Sequence, residues 1–388
     1  MQRIYLDNAA TTPVRPEVVE AMLPFFRQHF AHPSSAHASG QRVRRALDEA
    51  RDTTAAALGA DPSEIVFTAG GSESNSTAIA GLMNAYRARG NHFVTSATEH
   101  HAVLHAGDSL AAGGSEVTVL PVDSEGFVDA DRLRSALTDK TVLVSIMHAN
   151  NEIGTVARIA ELAAVAHERG VLFHTDAVQT VGHLDVDVEA LDVDALTLSA
   201  HKFGGPKGVG ALYIRDGVRM QPIIHGGGQE RGRRSGTENV PGIIGLSAAL
   251  RLATARLPTS ASRVSLLRDR LIDEILRRIP GSACNGPHTE RLPNNASLRF
   301  AGVEGSAAIV ALDLVGFEAS TGSACASGSL APSHVLTAIG LEAEAARSTV
   351  RFSLAETTQP EDIEQLLRAL PGIVERLRAV CGALAAAR

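Results

Sequence analysis

Short apolar segments rich in β-branched side chains alternate, as far as residue 214, with longer segments in which apolar residues recur every three or four positions. The first pattern is typical of buried strands, and the second is typical of helices that cover a sheet. Their alternation predicts an α/β fold around a mainly parallel sheet. The predicted strands span 65–68, 93–95, 117–120, 142–146, 171–174, 195–198 and 211–214, with helices over 73–89 and 156–169.

The pattern changes at 226–231, where a loop rich in glycine and charge follows the last of these segments. Helices predicted over 240–256 and 263–278 then lead to a smaller α+β unit, which has strands near 296–300 and 349–354. The chain is also too long for one compact core, so two domains are expected. The predicted domains are a large one over 15–255 and a small one that combines 1–14 with 256–388.

Composition narrows the class of protein and its ligands. The 388 residues include 36 basic and 43 acidic side chains without long blocks of one sign, so nucleic acid and anionic membranes are poor candidates as direct ligands. A hydrophobic fraction of 44% supplies ample core and argues against disorder. Because the N-terminus lacks a signal pattern and no run of about 18 apolar residues occurs, we expect a cytoplasmic protein without a membrane span.

The three cysteines are too few and too scattered for a disulfide framework or for a zinc site of paired thiolates, and no metal site is predicted for the chain itself. Cys325 lies in a run of small residues at 321–329, which suits an exposed nucleophilic thiol. The alternative is a free cysteine that packs as a small hydrophobic residue. Cys284 repeats the tripeptide Ser-Ala-Cys in another loop, and Cys381 lies in a terminal segment that looks structural.

Lys202 follows the predicted strand 195–198, a position where desolvation lowers the pKa of a lysine amine and lets it form a Schiff base with an aldehyde. Ser199 and His201 beside it can donate hydrogen bonds to a phosphate. Pyridoxal phosphate needs both a lysine that forms a Schiff base and donors that bind its phosphate. The alternative is a solvated lysine before a Gly-rich turn, within a possible antiparallel hairpin at the sheet edge.

Other predicted strands also end in groups that suit this cofactor. Gly71 and Ser72 lie at the start of a helix, where backbone N–H groups and the helix dipole favour an anion. Asp176 can keep a pyridine nitrogen protonated, and Gln179 can reach the phenolic oxygen of the ring. Each group alone is more easily read as a cap or a solvated loop residue. Taken together, these groups favour a cofactor site, because caps and loop residues of independent origin would rarely occur at five successive strand ends. The five positions are Ser72, His100, Asn151, Asp176 and Lys202.

Nine motifs then connect the chain with a known family. They are YLDNAATT at 5–12, FTAGGSESN at 67–75, TEHHAV at 98–103, MHANNEIG at 147–154, HTDAVQ at 174–179, SAHKFGGPKGVGALY at 199–213, RSGTEN at 234–239, TGSACASG at 321–328 and VRFS at 350–353. With these motifs, nearly the whole chain resembles the cysteine desulfurases of the NifS/IscS type, in the class V branch of fold-type I pyridoxal-phosphate enzymes. One departure is His32, where the family usually has asparagine, and it puts the geometry of that loop in question.

The resemblance implies a role for each matching residue. Lys202 would hold the cofactor as a Schiff base, with His100 stacked on its ring and Asp176 paired with the ring nitrogen. Arg351, with Asn151 nearby, would bind the substrate carboxylate. Thr237 would reach the phosphate of a neighbouring subunit, which implies a homodimer. The remaining cofactor contacts implied are Asn151 and Gln179 near the phenolic oxygen, and Gly71, Ser72, Ser199 and His201 around the phosphate.

The reaction implied is conversion of L-cysteine to L-alanine. Lys202 would remove the α-proton, Cys325 would take the sulfur as a persulfide, and His100 would handle protons. The persulfide would pass to an acceptor protein such as an iron-sulfur scaffold, with which Cys325 could briefly share a cluster as a ligand. A selenocysteine lyase or another class V lyase or aminotransferase stays open. A non-catalytic scaffold is disfavoured because every expected functional position is filled.

Overall fold

A seven-stranded sheet forms the centre of the larger part of the chain. The computed structural model describes residues 3–322 and 331–386, with side chains as far as residue 380. The strands of the sheet are β2 (Ile65–Thr68), β3 (His92–Ser96), β4 (Glu116–Leu120), β5 (Thr141–Ser145), β6 (Leu172–Asp176), β7 (Ala195–Ser199) and β8 (Gly210–Ile214). Their order is β2-β8-β7-β6-β5-β3-β4. All seven predicted strands are therefore confirmed, with small changes at their ends.

Most neighbours in this sheet are parallel, as expected when helices connect successive strands. β8 is antiparallel to β7, as the hairpin prediction required. Its predicted position at the edge is wrong, because β2 pairs with the other side of β8. The helices of this part are α1 (Pro16–Arg27), α2 (Ala38–Ala56), α3 (Gly71–Ala85), α4 (His101–Ala112), α5 (Ala130–Ala136), α6 (Ile159–His167) and α7 (Val188–Leu191).

One long helix, α8 (Val240–Arg278), replaces the two helices predicted after the charged loop. It continues through Pro258, because buried side chains on both sides of the proline hold the two halves in place. Buried residues as far as Ala253 pack in the core of the large sheet, and those from Val264 onward pack in a second core. The domain boundary near 255 stays a prediction, which this change of core supports. An 18-residue stretch of α8 is also apolar enough to cross a membrane, but 56% of that stretch is buried within the protein.

The second core surrounds a three-stranded antiparallel sheet. It consists of β9 (Ser282–Cys284), β10 (Asn295–Phe300) and β12 (Thr349–Ser353), in the order β12-β10-β9. A separate parallel pair joins β1 (Ile4–Tyr5) to β11 (Phe317–Glu318), so the N-terminus packs with the C-terminal part. Cys284 thus lies in a strand and not in the loop expected for it. The remaining helices are α9 (Gly305–Asp313), α10 (His334–Ala338), α11 (Ala343–Arg347) and α12 (Pro360–Ala386), the last of which contains Cys381.

The side chain of His32 bonds to the backbone of its own loop. Its Nδ1 accepts a hydrogen bond from the backbone N–H of Ser34, at 3.1 Å. An asparagine side chain makes the same bond to the residue two positions ahead in an Asx turn. The substitution is therefore compatible with a turn at this point of the loop.

His167, at the end of α6, ties that helix to the segment before β7. Its Nδ1 lies 3.0 Å from Asp192 Oδ2 and its Nε2 lies 2.9 Å from Asp194 Oδ2. These hydrogen bonds, led by the one with Asp194, raise the pKa of His167 above its ordinary value of 6.5. The protonated ring therefore stabilises the folded chain.

We expect His167→Gln to lower the free energy of unfolding most at acidic pH. A raised folded pKa contributes stability that is fully present below pH 6.5 and is lost as the pH rises through the folded value. Urea unfolding at pH 5.5 to 8.5 measures the difference, with the exposed His288→Gln as a matched control. A difference that does not shrink with rising pH would contradict the assignment.

Candidate active site

Ten of the predicted site residues line one cavity of about 320 Å³ at the carboxyl ends of the parallel strands. This location follows from the topology, because the ends of parallel strands meet at one edge of a sheet. The ten are Gly71, Ser72, His100, Asn151, Asp176, Gln179, Ser199, His201, Lys202 and Arg351. Cys325 lies outside the described residues. Thr237 is exposed and is not among the described residues that line this cavity.

The start of α3 provides an anion site at one end of the cavity. Gly70, which precedes the helix, has φ of 147°, a conformation that residues with a Cβ rarely adopt. A Cβ added to Gly71 would lie 2.8 Å from Val178 Cγ2, so a side chain here would force Val178 to shift. Gly71 and Ser72, in this first turn, line the cavity, and the N–H groups at the start of a helix have no partner within it.

Asp176 is the last residue of β6 and its side chain is almost completely buried, with 4% of the residue exposed. Its Oδ2 accepts a hydrogen bond of 2.6 Å from Asn75 Nδ2, and its Oδ1 accepts one of 3.0 Å from the backbone N–H of Val178. A carboxylate has about four lone-pair sites, so further donors can still bind it. A protonated ring nitrogen in the cavity would be such a donor. Asn75, which sequence reasoning missed, lies in the same motif as Gly71.

Lys202 lies in a 3-10 turn that begins immediately after β7. Its Nζ donates hydrogen bonds to the carbonyl oxygens of Ala9 (2.6 Å) and Ala10 (3.0 Å). Gln179 Nε2 donates to the same Ala9 oxygen, at 3.0 Å. The N-terminal segment 7–12 therefore forms a wall of the site. Its YLDNAATT motif was noted in the sequence, but no role was predicted for it.

His201 beside Lys202 is neutral at physiological pH. Burial lowers its pKa to about 4, and the charges of Lys202 and Lys207 act in the same direction. Its Nδ1 lies 3.1 Å from Thr11 Oγ1. A neutral imidazole donates from one nitrogen and accepts at the other, so His201 can offer one hydrogen bond without adding a charge.

His100 caps the start of α4. Its Nδ1 accepts a hydrogen bond of 3.1 Å from the backbone N–H of Ala102. An accepting Nδ1 is unprotonated, so in the neutral ring the proton lies on Nε2. The cap fixes the ring at the wall of the cavity and determines which nitrogen can donate.

Arg351 is 1% exposed and lies on β12, at the face of the small sheet that meets the cavity. Its Nη2 donates to Asp7 Oδ1 at 2.7 Å, and its Nη1 donates to the carbonyl oxygen of Asn151 at 2.8 Å. Its Nε has no hydrogen-bond partner among the described residues. An arginine whose guanidinium is held in this way is suited to a carboxylate ligand.

Glu99 is a further buried group that sequence reasoning missed, although it lies in the TEHHAV motif. Its Oε1 accepts hydrogen bonds from Ser96 Oγ (2.7 Å) and from the backbone N–H of Met147 (2.8 Å). Burial raises its pKa to about 8, so the carboxyl is mostly protonated at neutral pH. The backbone carbonyl of Glu99 also accepts a hydrogen bond from His334 Nε2, at 2.9 Å.

Ser333 and His334 attach the start of α10 to the rest of the structure. Ser333 Oγ donates to Glu152 Oε2 at 2.6 Å, and burial raises the pKa of Glu152. The His334 ring lies 4.5 Å from that of His101, centroid to centroid. The start of α10 is therefore part of the cavity wall.

Cys284 has the surroundings of a structural thiol. It is mostly buried in β9, and Arg291 Nη2 lies 3.3 Å from its sulfur. Burial raises the pKa of the Cys284 thiol, so little thiolate is present at neutral pH.

The chain is similar to known proteins along nearly its whole length. Residues 4–366 match the family described as Aminotransferase class-V. The cysteine desulfurase IscS of Dictyoglomus turgidum is 52% identical over 379 residues, which cover 98% of this chain and 96% of that protein. The chain belongs to the cysteine desulfurase branch of the class V aminotransferases. The family resemblance proposed from the motifs is therefore confirmed, together with the fold class.

Two solved structures are similar to the chain. A NifS-like protein has a TM-score of 0.91 and 37% sequence identity, covering 97% of this chain and 100% of its own. The protein SspA, solved in complex with cysteine, has a TM-score of 0.80 and 40% identity, covering 90% of this chain and 98% of its own.

Glu99→Gln tests whether the Glu99 carboxyl is protonated in the folded protein. Because its folded pKa of about 8 exceeds the ordinary value of 4.5, the folded native chain loses stability as the pH rises between these values. Glutamine does not titrate, so the variant lacks this loss of stability. We expect the free energy of unfolding of the variant to increase relative to the native chain from pH 5 to pH 8 in urea unfolding. The exposed Glu20→Gln is the control, and a constant difference for Glu99→Gln would contradict the prediction.

Proposed function

We propose that the chain is a cysteine desulfurase that converts L-cysteine to L-alanine and takes the sulfur as a persulfide on Cys325. The observation that carries this proposal is one cavity lined by the Lys202 amine, the Asp176 carboxylate and the Arg351 guanidinium. These groups can hold a ring cofactor at one side and an amino-acid carboxylate at the other. The names of relatives about half identical to the chain, and the cysteine complex of SspA, support the same reaction.

The cofactor implied by the family is pyridoxal 5'-phosphate, and the residues present fit it. The start of α3 would bind the phosphate, with Ser199 and His201 beside it, and Asp176 would bind the ring nitrogen. Lys202 would form the covalent bond, while His100, Asn151 and Gln179 would contact the ring and its phenolic oxygen. When bound there, the cofactor supplies an aldehyde and an electron sink for negative charge at the substrate α-carbon.

The first task of the chain is to orient L-cysteine and remove its α-proton. Arg351 binds the substrate carboxylate, and Asp7 and Asn151 keep its guanidinium in place. Lys202 Nζ accepts the α-proton. The carbonyl oxygens of Ala9 and Ala10, which already accept hydrogen bonds from Nζ, favour the positively charged amine that results.

The second task is transfer of sulfur. The Cys325 thiolate attacks the sulfur atom of the substrate, so that an S–S bond forms while the substrate C–S bond breaks. The electron pair of the C–S bond stays on the β-carbon, which takes up a proton and becomes a methyl group. Lys202 Nζ then returns its proton to the α-carbon, which completes L-alanine. His100 Nε2 is a suitable proton donor for this step.

We propose a homodimer with shared sites as the active form. Thr237 is exposed and lies outside the described lining of its own cavity, so it is available to a second copy. The face of α1 and the residues after it also leaves large apolar side chains in solvent, with Phe30 78% exposed. Burial of such a face in a symmetric interface would be favourable.

The sulfur acceptor is proposed to be a protein such as an iron-sulfur scaffold. A cytoplasmic location is part of the proposal, because a reducing compartment keeps the Cys325 thiol available.

Cys325→Ser tests the proposed reaction. Serine is a poor acceptor of sulfur and is not ionised at neutral pH, so alanine production from L-cysteine should fall by about a thousandfold or more, the scale expected when a nucleophile is lost. Binding of the cofactor and of L-cysteine, followed by absorbance, should be unchanged. Mass spectrometry after one turnover of the native enzyme without reductant should detect the extra sulfur on the peptide that contains Cys325.

Cys284→Ser is the matched control and should behave as the native enzyme, because the Cys284 thiol is buried and poorly ionised. Undiminished alanine production in Cys325→Ser, or persulfide on Cys284, would move the assignment to another class V lyase.

A mixture of two inactive variants tests the shared sites. Lys202→Ala lacks the amine, and a chain with 236–238 deleted lacks Thr237. A hybrid dimer of the two has one site with both parts intact, so subunit exchange should restore activity above the sum of the separate variants. Absence of recovery, after native mass spectrometry has verified the hybrid, would refute shared sites.

A further inference from the structure

The loop that carries Thr237, residues 226–237, contains two consecutive residues in a left-handed conformation. Glu230 has φ of 47° and ψ of 39°, and Arg231 has φ of 56° and ψ of 34°. This region is unfavourable for residues that have a Cβ. Such conformations persist only where the surrounding structure holds them, and they are concentrated at functional sites. A contact elsewhere must therefore stabilise the left-handed backbone of Glu230 and Arg231, and a function of the loop would explain why this conformation is kept.

A buried ion pair supplies the contact. Arg51 on α2 donates two hydrogen bonds to Glu230, from Nη2 to Oε1 at 2.7 Å and from Nη1 to Oε2 at 2.9 Å. The backbone N–H of Phe67 donates to the same Oε2 at 2.9 Å. Both charged residues are 7% exposed, and the guanidinium lies 4.7 Å from the centre of the Phe67 ring. The strained residue is thus bonded to β2.

A second ion pair fastens the same loop to α3. Arg234 donates from Nε to Glu73 Oε1 at 2.8 Å and from Nη2 to Glu73 Oε2 at 3.2 Å. Glu73 follows Ser72 in the first turn of α3. The loop is therefore attached to the strand and to the helix on either side of the turn proposed to bind phosphate. Three residues beyond Arg234 the chain presents Thr237 to solvent.

Stability alone is a weak explanation for the buried pair. Desolvation of two charges offsets most of their attraction, and apolar residues of similar size often stabilise a protein as well or better. Arg51 and Glu230 are, moreover, bonded at the point where the backbone is least favourable. A requirement for one defined loop conformation explains both observations.

We propose that Arg51 and Glu230 are positioning residues that hold the 226–237 loop in the shape in which Thr237 completes the site of a second copy of the chain. The inference rests on the proposed dimer with shared sites. Its consequence is that loss of the pair damages the site of the partner subunit and leaves the site of its own chain intact.

The test compares the Glu230→Gln dimer with a hybrid dimer, in which one subunit carries Glu230→Gln and the other carries Lys202→Ala. The Glu230→Gln dimer should bind pyridoxal phosphate about tenfold more weakly in an absorbance titration, because the loop is released in both subunits. In a hybrid with Lys202→Ala, the Glu230→Gln chain provides the lysine and the Lys202→Ala chain provides an intact loop. That one site should regain native affinity, and activity at limiting cofactor should rise several-fold above the sum of the two parents.

Arg51→Lys keeps the charge but loses the planar fork, so it should give the same defect and the same recovery, and it replaces Glu230→Gln if that variant does not fold. Glu64→Gln is the matched control. Glu64 is also 7% exposed and lies next to β2, but it accepts hydrogen bonds from the backbone of Asp61 and Asp216. It should retain native cofactor affinity.

Two outcomes would overturn the inference. Failure of the Glu230→Gln hybrid to recover would place the defect in the site of the same chain, and an equal loss in Glu64→Gln would indicate general destabilisation. The mixture of Lys202→Ala with the 236–238 deletion separates the two proposals. If activity recovers in that mixture but not in the Glu230→Gln hybrid, only the positioning role is overturned. If activity recovers in neither mixture, shared sites are refuted as well.

Discussion

Parallel pairing of β3, β5, β6 and β7 is the constraint on which the site depends. Parallel strands require helical connections that return the chain to the opposite edge, so every strand ends at the same edge of the sheet. His100, Asn151, Asp176 and Lys202 lie at or after four of these ends and meet at one cavity although they are far apart in sequence. Loss of register in one strand would separate these groups, and no local interaction could restore them.

The N-terminal segment 7–12 connects this edge with the small sheet. The side chain of Asp7 accepts a hydrogen bond from Arg351, and the backbone of Ala9 bonds to Ser353 on the same strand. The carbonyl oxygens of Ala9 and Ala10 then accept from Lys202. This one segment, which turns at residues 8–10, therefore holds the proposed carboxylate-binding group and the proposed base relative to each other.

Electrostatics within the cavity are set by burial as much as by charge. Burial keeps His201 neutral and Glu99 mostly protonated, so neither adds a net charge to the wall at neutral pH. Asp176, although buried, accepts two hydrogen bonds, from Asn75 Nδ2 and from the backbone N–H of Val178. The site can thus bind an anion at α3 and a cation at Asp176 with few competing charges between them.

Local pattern in the sequence determined the seven strands, most of α3, and the polar groups at the strand ends, because each depends on periodicity and on turn residues within a few positions. Only the tertiary structure decided that β8 lies inside the sheet, that α8 continues through Pro258, and that Cys284 belongs to a strand. The pairs Asp7–Arg351 and Arg51–Glu230 were equally invisible, since their partners are 344 and 179 residues apart. Such contacts depend on which surfaces the folded chain brings together, and no spacing along the sequence encodes that proximity.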